Sequence, residues 1–517
     1  MKRKPPGSVY LAGAGPGDPG LLTVRARELL ASADVVIHDW LVSEGVLRLA
    51  PQAHKIDMGK HPLLRGRKRG ALQDAINREL VRQARSGKRV VRLKGGDPLV
   101  FGRGSEEALF LRKHRIPFEF VPGVSAGYSV PEYAGIPVTD RRFASQVTFV
   151  TGHEDPSKPE TSVDWKKLAA LPGTLVSFMG VNSLPRITRL LTGYGMSPKT
   201  PVSVIEWGTL ASQRTVQGPL SAIAGRVRRM KIQSPSLVVI GHVNQLRKKL
   251  AWFEKRPLFG KTVVVTRAGD QAGRLRVLLE ERGARAVEFP AIKILPPADW
   301  KPLDRELPRL GSYDWIVFTS VNGVNHVFQR IAEKKFDARI FSGARIAVIG
   351  SATAQALAAQ GLRADLMPHA FHSAELLEQF RRLRPKGKKI LLLRTDIAPE
   401  LLRSGLEKEG AAVSEVSVYR TRPDASAAAK LRSWLKSHCP DFITFTSAST
   451  VHAFFGAVKG VPLASSSKFV SIGPMTSEAL RTRGKKIFRE ARVHTLAGLA
   501  DCLAKPEPRA PKKIRKA

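Results

Sequence analysis

Val9-Tyr-Leu-Ala-Gly-Ala-Gly-Pro-Gly-Asp-Pro-Gly20 is an apolar run that stops abruptly in a glycine-rich turn, and residues 21–30 beyond it read as a helix. Strand, turn and helix in that order open an α/β fold. Gly15, Gly17 and Gly20 satisfy the spacing G-x-G-x-x-G, and Asp39 lies near the distance at which a dinucleotide site places its ribose-binding acid. Pro16 and Pro19 argue against that reading. They remove two N–H donors from a loop that would have to offer donors to a pyrophosphate, so the turn is better suited to shaping the wall of a cleft.

The chain of 517 residues exceeds what one core usually supports, so about two to four compact units are expected. Eighty-five Lys+Arg against 44 Asp+Glu leave a net charge of +41, which favours an acidic partner: nucleic acid, anionic lipid or a polycarboxylate substrate. A generally basic proteome accounts for the same balance equally well. Lys2, Arg3 and Lys4 and the Pro/Lys-rich stretch 506–517 read as solvated, disordered tails. Cys439 and Cys502 are too few for a disulfide framework and wrongly distributed for zinc, which points to a reducing cytoplasm. No apolar run approaches the roughly 18 residues of a membrane span, so a soluble protein without membrane partners is expected.

Strand-turn-helix grammar recurs along the first half. Asp39 ends the apolar run 33–43, where an aspartate is most often a turn former or helix cap, and Lys60 taken alone passes as solvated surface. Lys88-Arg-Val-Val-Arg-Leu-Lys-Gly-Gly-Asp-Pro-Leu-Val-Phe-Gly-Arg-Gly-Ser-Glu-Glu107 presents another strand, a second glycine loop and an acidic helix start. Gly95 and Gly96 allow the backbone to approach a ligand, Asp97 can accept from hydroxyls, and the bland alternative is a tight turn capped by that aspartate.

The ordered set GAGPGDPGLLT, DWLVS, KGGDPLVFGRG, PGVSA, YAGIPVTDR, VTFVTGH, TLVSFMG, PVSVIEWGT and SPSLVVIGHV, over residues 8–248, resembles uroporphyrinogen-III C-methyltransferase. The resemblance implies a tetrapyrrole methylase fold at 1–250 with subdomains of about 1–142 and 143–250, an active site in the cleft between them, and a homodimer. It implies S-adenosylmethionine as methyl donor, no metal, and a cofactor site lined by Pro16, Gly95, Gly96, Asp97, Val100, Ser125, Ala126, Met179 and Gly208. Asp39 matches the family's proton acceptor and Lys60 its proton donor. An electron-rich pyrrole carbon attacks the sulfonium methyl, and a base then removes a proton from the macrocycle. Arg103, with Arg141 and Arg142, would hold a polycarboxylate substrate. Departures from the family pattern fall at His38, Ser125, Asp140 and Phe178, and His153 reads as structural.

A basic stretch at 246–260 reads as a junction, with a linker at 251–259. Beyond it, apolar strands near 261–267, 315–319, 346–349, 389–393, 442–445 and 468–472 alternate with helical segments, as in a parallel sheet. Trp315-Ile-Val-Phe-Thr-Ser and Ile346-Ala-Val-Ile-Gly are echoed by Phe442-Ile-Thr-Phe-Thr-Ser and Phe469-Val-Ser-Ile-Gly, which implies two similar lobes with a ligand cleft. KTVVVTRAGDQAGRLRVLLEERGA, VFTSVNGV, AVIGSATAQAL, GLEKEGAAVSEVSVYRT, FITFTSAST and VSIGPMTSEAL, over 258–505, make this half similar to uroporphyrinogen-III synthase. That family implies a two-lobed α/β domain at 260–505, with one lobe from about 260–295 plus 419–505, the other from 296–418, and a two-stranded connector. Tyr419 matches a tyrosine assisting departure of hydroxide and Thr476 a cleft threonine; Ser320, Ser447 and Lys468 are plausible carboxylate contacts, and Met475 replaces a hydroxyl residue. A strand tyrosine packed at a connector is the plain alternative for Tyr419. Together the halves imply a cytoplasmic enzyme that converts hydroxymethylbilane through uroporphyrinogen III to precorrin-2, toward sirohaem or a corrinoid. The rival readings are a methyltransferase of another substrate, RNA included, with a C-terminal binding module, and a nicotinamide oxidoreductase; no aromatic-plus-basic motif favours nucleic acid.

Overall fold

Apolar runs without polar alternation belong in parallel sheets covered on both faces, and the strands Val35–His38 and Val90–Lys94 are buried at every residue. The computed structural model describes residues 7–59, 69–152, 162–267, 269–368 and 373–506. The chain divides at residue 260 into two units, Met1–Gly260 and Lys261–Ala517.

In the first unit, β1 (Val9–Gly13), β2 (Val35–His38), β3 (His54–Asp57), β4 (Val90–Lys94) and β5 (Phe118–Val121) form an all-parallel sheet in the order β3-β2-β4-β1-β5. One core packs around Leu11, Ile37 and Leu80, and the other around Ala12, Val36 and Leu93, on opposite faces as the period of two requires. A second sheet takes β6 (Val147–Thr151), β7 (Thr174–Phe178), β8 (Pro201–Glu206), β9 (Arg214–Pro219) and β10 (Ser236–Ile240) in the order β6-β7-β10-β8-β9, with only β6 and β7 parallel. The helix Ala126–Tyr133 follows β5 in the chain but packs on β7 and β10, where Val130 joins Ile205 and Val239. It ties the two subdomains together.

The stretch expected as a linker at 251–259 is built into the first unit. Phe253 is buried, its ring lies 4.8 Å from that of Tyr133, and Trp252 Nε1 donates to the Glu132 carbonyl at 3.1 Å. Basic neighbours disguised an aromatic anchor: Arg256 stacks over both Trp252 and Phe253.

In the second unit, β11 (Thr262–Val265), β12 (Arg285–Glu288), β13 (Ile292–Leu295), β14 (Trp315–Phe318), β15 (Arg345–Val348), β16 (Lys389–Thr395), β17 (Ala412–Pro423), β18 (Phe442–Phe445), β19 (Lys468–Ser471) and β20 (Ile487–Glu490) make two sheets, β12-β11-β18-β19-β20 and β13-β17-β16-β14-β15. Each lobe is parallel except where β13 pairs antiparallel with Arg420 to Pro423 of β17. The long strand β17 therefore belongs to one lobe along its start and to a two-stranded ribbon along its end. The sequence echo is structural: Ser320 and Ser447 cap equivalent helices after β14 and β18 with nearly the same backbone, and Gly350 and Gly473 precede the helices after β15 and β19. Among the described residues no helix is long and apolar enough to cross a membrane.

Phe253→Ala should cost the first unit about 3 kcal/mol of stability, read as a lower midpoint of its chemical unfolding. An unchanged midpoint would mean that the junction does not anchor there.

Candidate functional site

Ligands of open parallel sheets bind beyond the carboxyl ends of the strands, and most residues expected at the methyl-donor site follow such ends. Pro16 lies just after β1, Asp39 just after β2, Gly95 to Asp97 after β4, Ser125 and Ala126 after β5, Met179 after β7 and Gly208 after β8. The loops after β1 and β4 are joined backbone to backbone: Gly15 N donates to Gly96 O at 3.2 Å, and Gly96 N to Gly15 O at 2.7 Å. A Cβ on Gly123 would stand 2.2 Å from Gly96 O and 2.7 Å from Gly13 Cα. Three loops thus meet with no room for a side chain. Asp97 fastens the arrangement, its Oδ1 accepting from Leu99 N at 2.8 Å and its Oδ2 from Gly123 N at 3.0 Å. Any further hydroxyl must use the remaining lone pairs of that carboxylate. Ser125 is buried and caps the helix Ala126–Tyr133, accepting from Gly127 N.

The second subdomain reaches the same loops. Thr209 Oγ1 accepts from Asp18 N at 3.1 Å, Tyr133 Oη donates to Asp18 Oδ2 at 2.9 Å, Trp40 and Trp207 meet edge to face at 6.0 Å, and Phe101 packs on Phe178 at 4.9 Å. Burial, and then the charge of Asp18, push the Tyr133 phenol well above its ordinary value, so it stays a donor. The direct neighbours of Asp39, Val100, Met179 and Gly208 make two of these contacts, which bring the loop of Asp39 to that of Gly208 and the loop of Val100 to that of Met179. Val100, Phe101 and Met179 are exposed there, and Gly208 has no Cβ because Val130 fills the space at 2.3 Å.

Strain marks the same loops. Phe101, Arg103, Met179, Trp207 and Thr209 have φ of 54°, 58°, 54°, 48° and 68°, five of the nine non-glycine residues with left-handed backbone among those described. Glu254 in the junction supports this wall: its Oε1 accepts from Gln213, which holds Thr209 N, and its Oε2 accepts from Arg247.

Asp39 is bound from below. Arg92 Nη2 donates to Asp39 Oδ1 at 2.5 Å, and the same guanidinium and Lys94 engage Glu107, at 3.1 Å from Nη2 and 2.8 Å from Nζ. Burial is the main force lowering the Lys94 ammonium below its usual value. These charges went unread in the sequence, although Arg92 and Lys94 stand at alternate positions of an otherwise apolar buried strand and so share one face. Lys60 and His153 lie outside the described residues. The arginines expected to hold carboxylates have acidic companions: Arg103 pairs with Glu106 at 2.7 Å, and Arg142 with Asp140, whose carboxyl it holds below the usual range.

In the second unit Ser320 Oγ donates to Tyr419 Oη at 3.0 Å while accepting from Gly323 N at 3.1 Å. Tyr419 is buried where the β16/β17 register shifts, with the His326 ring stacked on it at 5.8 Å. Burial pushes its phenol up, keeping it protonated at neutral pH. Ser447 and Thr476 follow the carboxyl ends of β18 and β19 in the other lobe. Lys468 is not with them. It opens β19, opposite Phe442 at the amino edge of the sheet, and lies 4.5 Å over the Phe488 ring. Strand direction separates it from Ser447 and Thr476, because parallel strands carry all their amino ends to one edge.

Residues 8–224 match the tetrapyrrole (corrin/porphyrin) methylases, and residues 273–501 match uroporphyrinogen-III synthase HemD. Porphyrin biosynthesis protein HemD of Ruminiclostridium josui is 37% identical over 480 residues, covering 92% of this chain and 93% of the relative. Uroporphyrinogen-III C-methyltransferase of Bacillus subtilis is 41% identical over 64% of this chain and 68% of the relative. S-adenosyl-L-methionine-dependent uroporphyrinogen III methyltransferase of Methanosarcina barkeri is 49% identical over 46% of this chain and 93% of the relative. With both halves matched in order and one relative aligned along nearly its whole length, this chain belongs to the family of fused proteins in which a tetrapyrrole methylase precedes a uroporphyrinogen-III synthase HemD.

Proposed function

We propose that the second unit cyclises hydroxymethylbilane to uroporphyrinogen III and that the first methylates this product twice, with S-adenosylmethionine, to precorrin-2. The observation that carries the reading is the match of both families on one chain, with the Ruminiclostridium josui relative aligned along 92% of it. The first cleft suits the methyl donor: glycine backbones approach without side chains, and the exposed apolar residues Val100, Phe101 and Met179 offer surface to an adenine and to the methylenes beside the sulfonium. Pro16, Gly95, Gly96, Asp97, Val100, Ser125, Ala126, Met179 and Gly208 would hold it. The donor supplies an electrophilic methyl group. Asp39 accepts the proton that the methylated macrocycle loses, with Lys60 as donor. Arg103 receives substrate carboxylates, exchanging its partner Glu106 for them. In the second unit, the protonated Tyr419, set by Ser320, assists departure of hydroxide as water, and Ser447 and Thr476 hold carboxylates of the folding bilane. The chain works in the cytoplasm as a homodimer formed through its first unit, so sedimentation should give twice the chain mass.

Incubation with hydroxymethylbilane and S-adenosylmethionine should yield dimethylated ring-III product, and omission of the methyl donor should leave uroporphyrinogen III. A folded sample that makes neither rules the proposal out. Gly123→Ala forces a methyl group into two backbones and should weaken S-adenosylmethionine binding about ten-fold or more, with synthase rate intact. Titration calorimetry reads this directly. Tyr419→Phe should lower synthase kcat about a hundred-fold while methylation of supplied uroporphyrinogen III continues; an unchanged synthase rate would reduce Tyr419 to a packing residue.

A further inference from the structure

β4 carries Arg92 and Lys94 through the middle of a parallel sheet, at 1% and 4% side-chain exposure, against a Glu107 at 0%. Charges in such a place are costly unless matched, and a well-packed apolar group is generally as stable or more so. The four side chains Asp39, Arg92, Lys94 and Glu107 balance, two cations against two anions. Only Asp39, at 30% side-chain exposure, opens to solvent. A cluster needed for stability alone has no use for an outlet at the cleft.

We infer that Arg92 is a positioning residue for methyl transfer, a guanidinium held from behind by Glu107 that orients the Asp39 carboxylate as proton acceptor. The inference rests on the reading of Asp39 given above. Arg92 Nε lies 3.2 Å and 3.3 Å from the two oxygens of Glu107, while Nη2 meets Asp39 Oδ1. Glu107 is held in turn by Lys94 Nζ at 2.8 Å and by Gln73 Nε2 at 3.2 Å, the latter also bonded to Asn77 Oδ1. The guanidinium is therefore fixed at both ends. Its fork presents donors to two carboxylates at once, which a single ammonium cannot reproduce. One oxygen of Asp39 is committed to Arg92; among the described residues the other, Oδ2, accepts no hydrogen bond and is left for the substrate proton. Among the described residues, the charged and titratable groups on the elements around this carboxylate are Arg92 and Lys94 from β4, Glu107 from the helix Gly104–Lys113, Asp57 on neighbouring β3, and His38, whose Nδ1 lies 3.0 Å from Asp39 O.

The test uses the full chain with Arg92→Gln, Arg92→Lys and Asp39→Asn. Methylation kcat and KM are measured, and S-adenosylmethionine binding and synthase rate are followed on the same samples as signs of intact folding. Arg92→Gln should lower methylation kcat at least about ten-fold, with KM for S-adenosylmethionine and the synthase rate within about two-fold. Arg92→Lys should not restore kcat, because a single ammonium cannot serve both carboxylates as the guanidinium fork does. If Arg92→Gln does not fold, Arg92→Lys decides: wild-type kcat in that variant overturns the inference, as does an Arg92→Gln enzyme with wild-type kcat. Near-normal turnover by Asp39→Asn would instead overturn the reading of Asp39 as acceptor. An inactive Asp39→Asn beside fully active Arg92 variants overturns the positioning role alone.

Discussion

The contact of bare backbone at Gly13, Gly96 and Gly123 is the constraint on which the first unit depends. A side chain at Gly13 or Gly123 would hold the loops after β1, β4 and β5 apart, while Gly96 takes the left-handed φ of 68° from which its backbone pairs with Gly15. Once the loops meet, much else follows. Pro16 is carried to the rim, Asp97 is free to bind Gly123 N, and the helix Ala126–Tyr133 begins from a fixed point with Ser125 as its cap. Because that helix packs against the second sheet, the glycine contact also sets where the second subdomain offers Met179 and Gly208. The rejected dinucleotide reading and the adopted one share Gly15; the difference is that its N–H and carbonyl meet the backbone of Gly96 rather than a phosphate.

The second unit solves a different problem, that of letting one chain build two lobes. It does so with a strand longer than either lobe needs. β17 runs in parallel beside β16, then continues as the antiparallel partner of β13. Tyr419 sits where one role passes to the other, at a register shift, and its buried hydroxyl is met by Ser320 from the start of a helix.

What could be read in advance was whatever is local or periodic. The apolar runs became strands within a residue or two, and the repeated Thr-Ser and Ile-Gly segments became repeated helix starts. Lys468 lies at the opposite edge of its sheet from Ser447 and Thr476: its charge is legible in one dimension, while its edge of the sheet is set by strand direction, a property of the assembled lobe. Trp252 and Phe253 hid among Arg and Lys because composition reports solubility, not which two side chains find a groove. Arg92 and Glu107 stand 15 residues apart, and only the crossing of helix over strand brings them together. The left-handed backbone at Phe101, Met179 and Trp207 carries no composition signal, since those residue types seldom adopt it and a packed environment must impose it.

The Glu254 bracket sets where this polypeptide could be divided. The residues that brace the Trp207 to Thr209 loop lie after the last strand of the second sheet and beyond the end of the methylase match at 224. A split placed by sequence similarity, or at the basic run 246–250, would assign the brace to the wrong piece and leave Gln213 without its carboxylate. Evolution or an engineer separating the two activities into independent genes would have to cut near Gly260. The seam of the fusion is thus part of the first enzyme's architecture rather than neutral spacer.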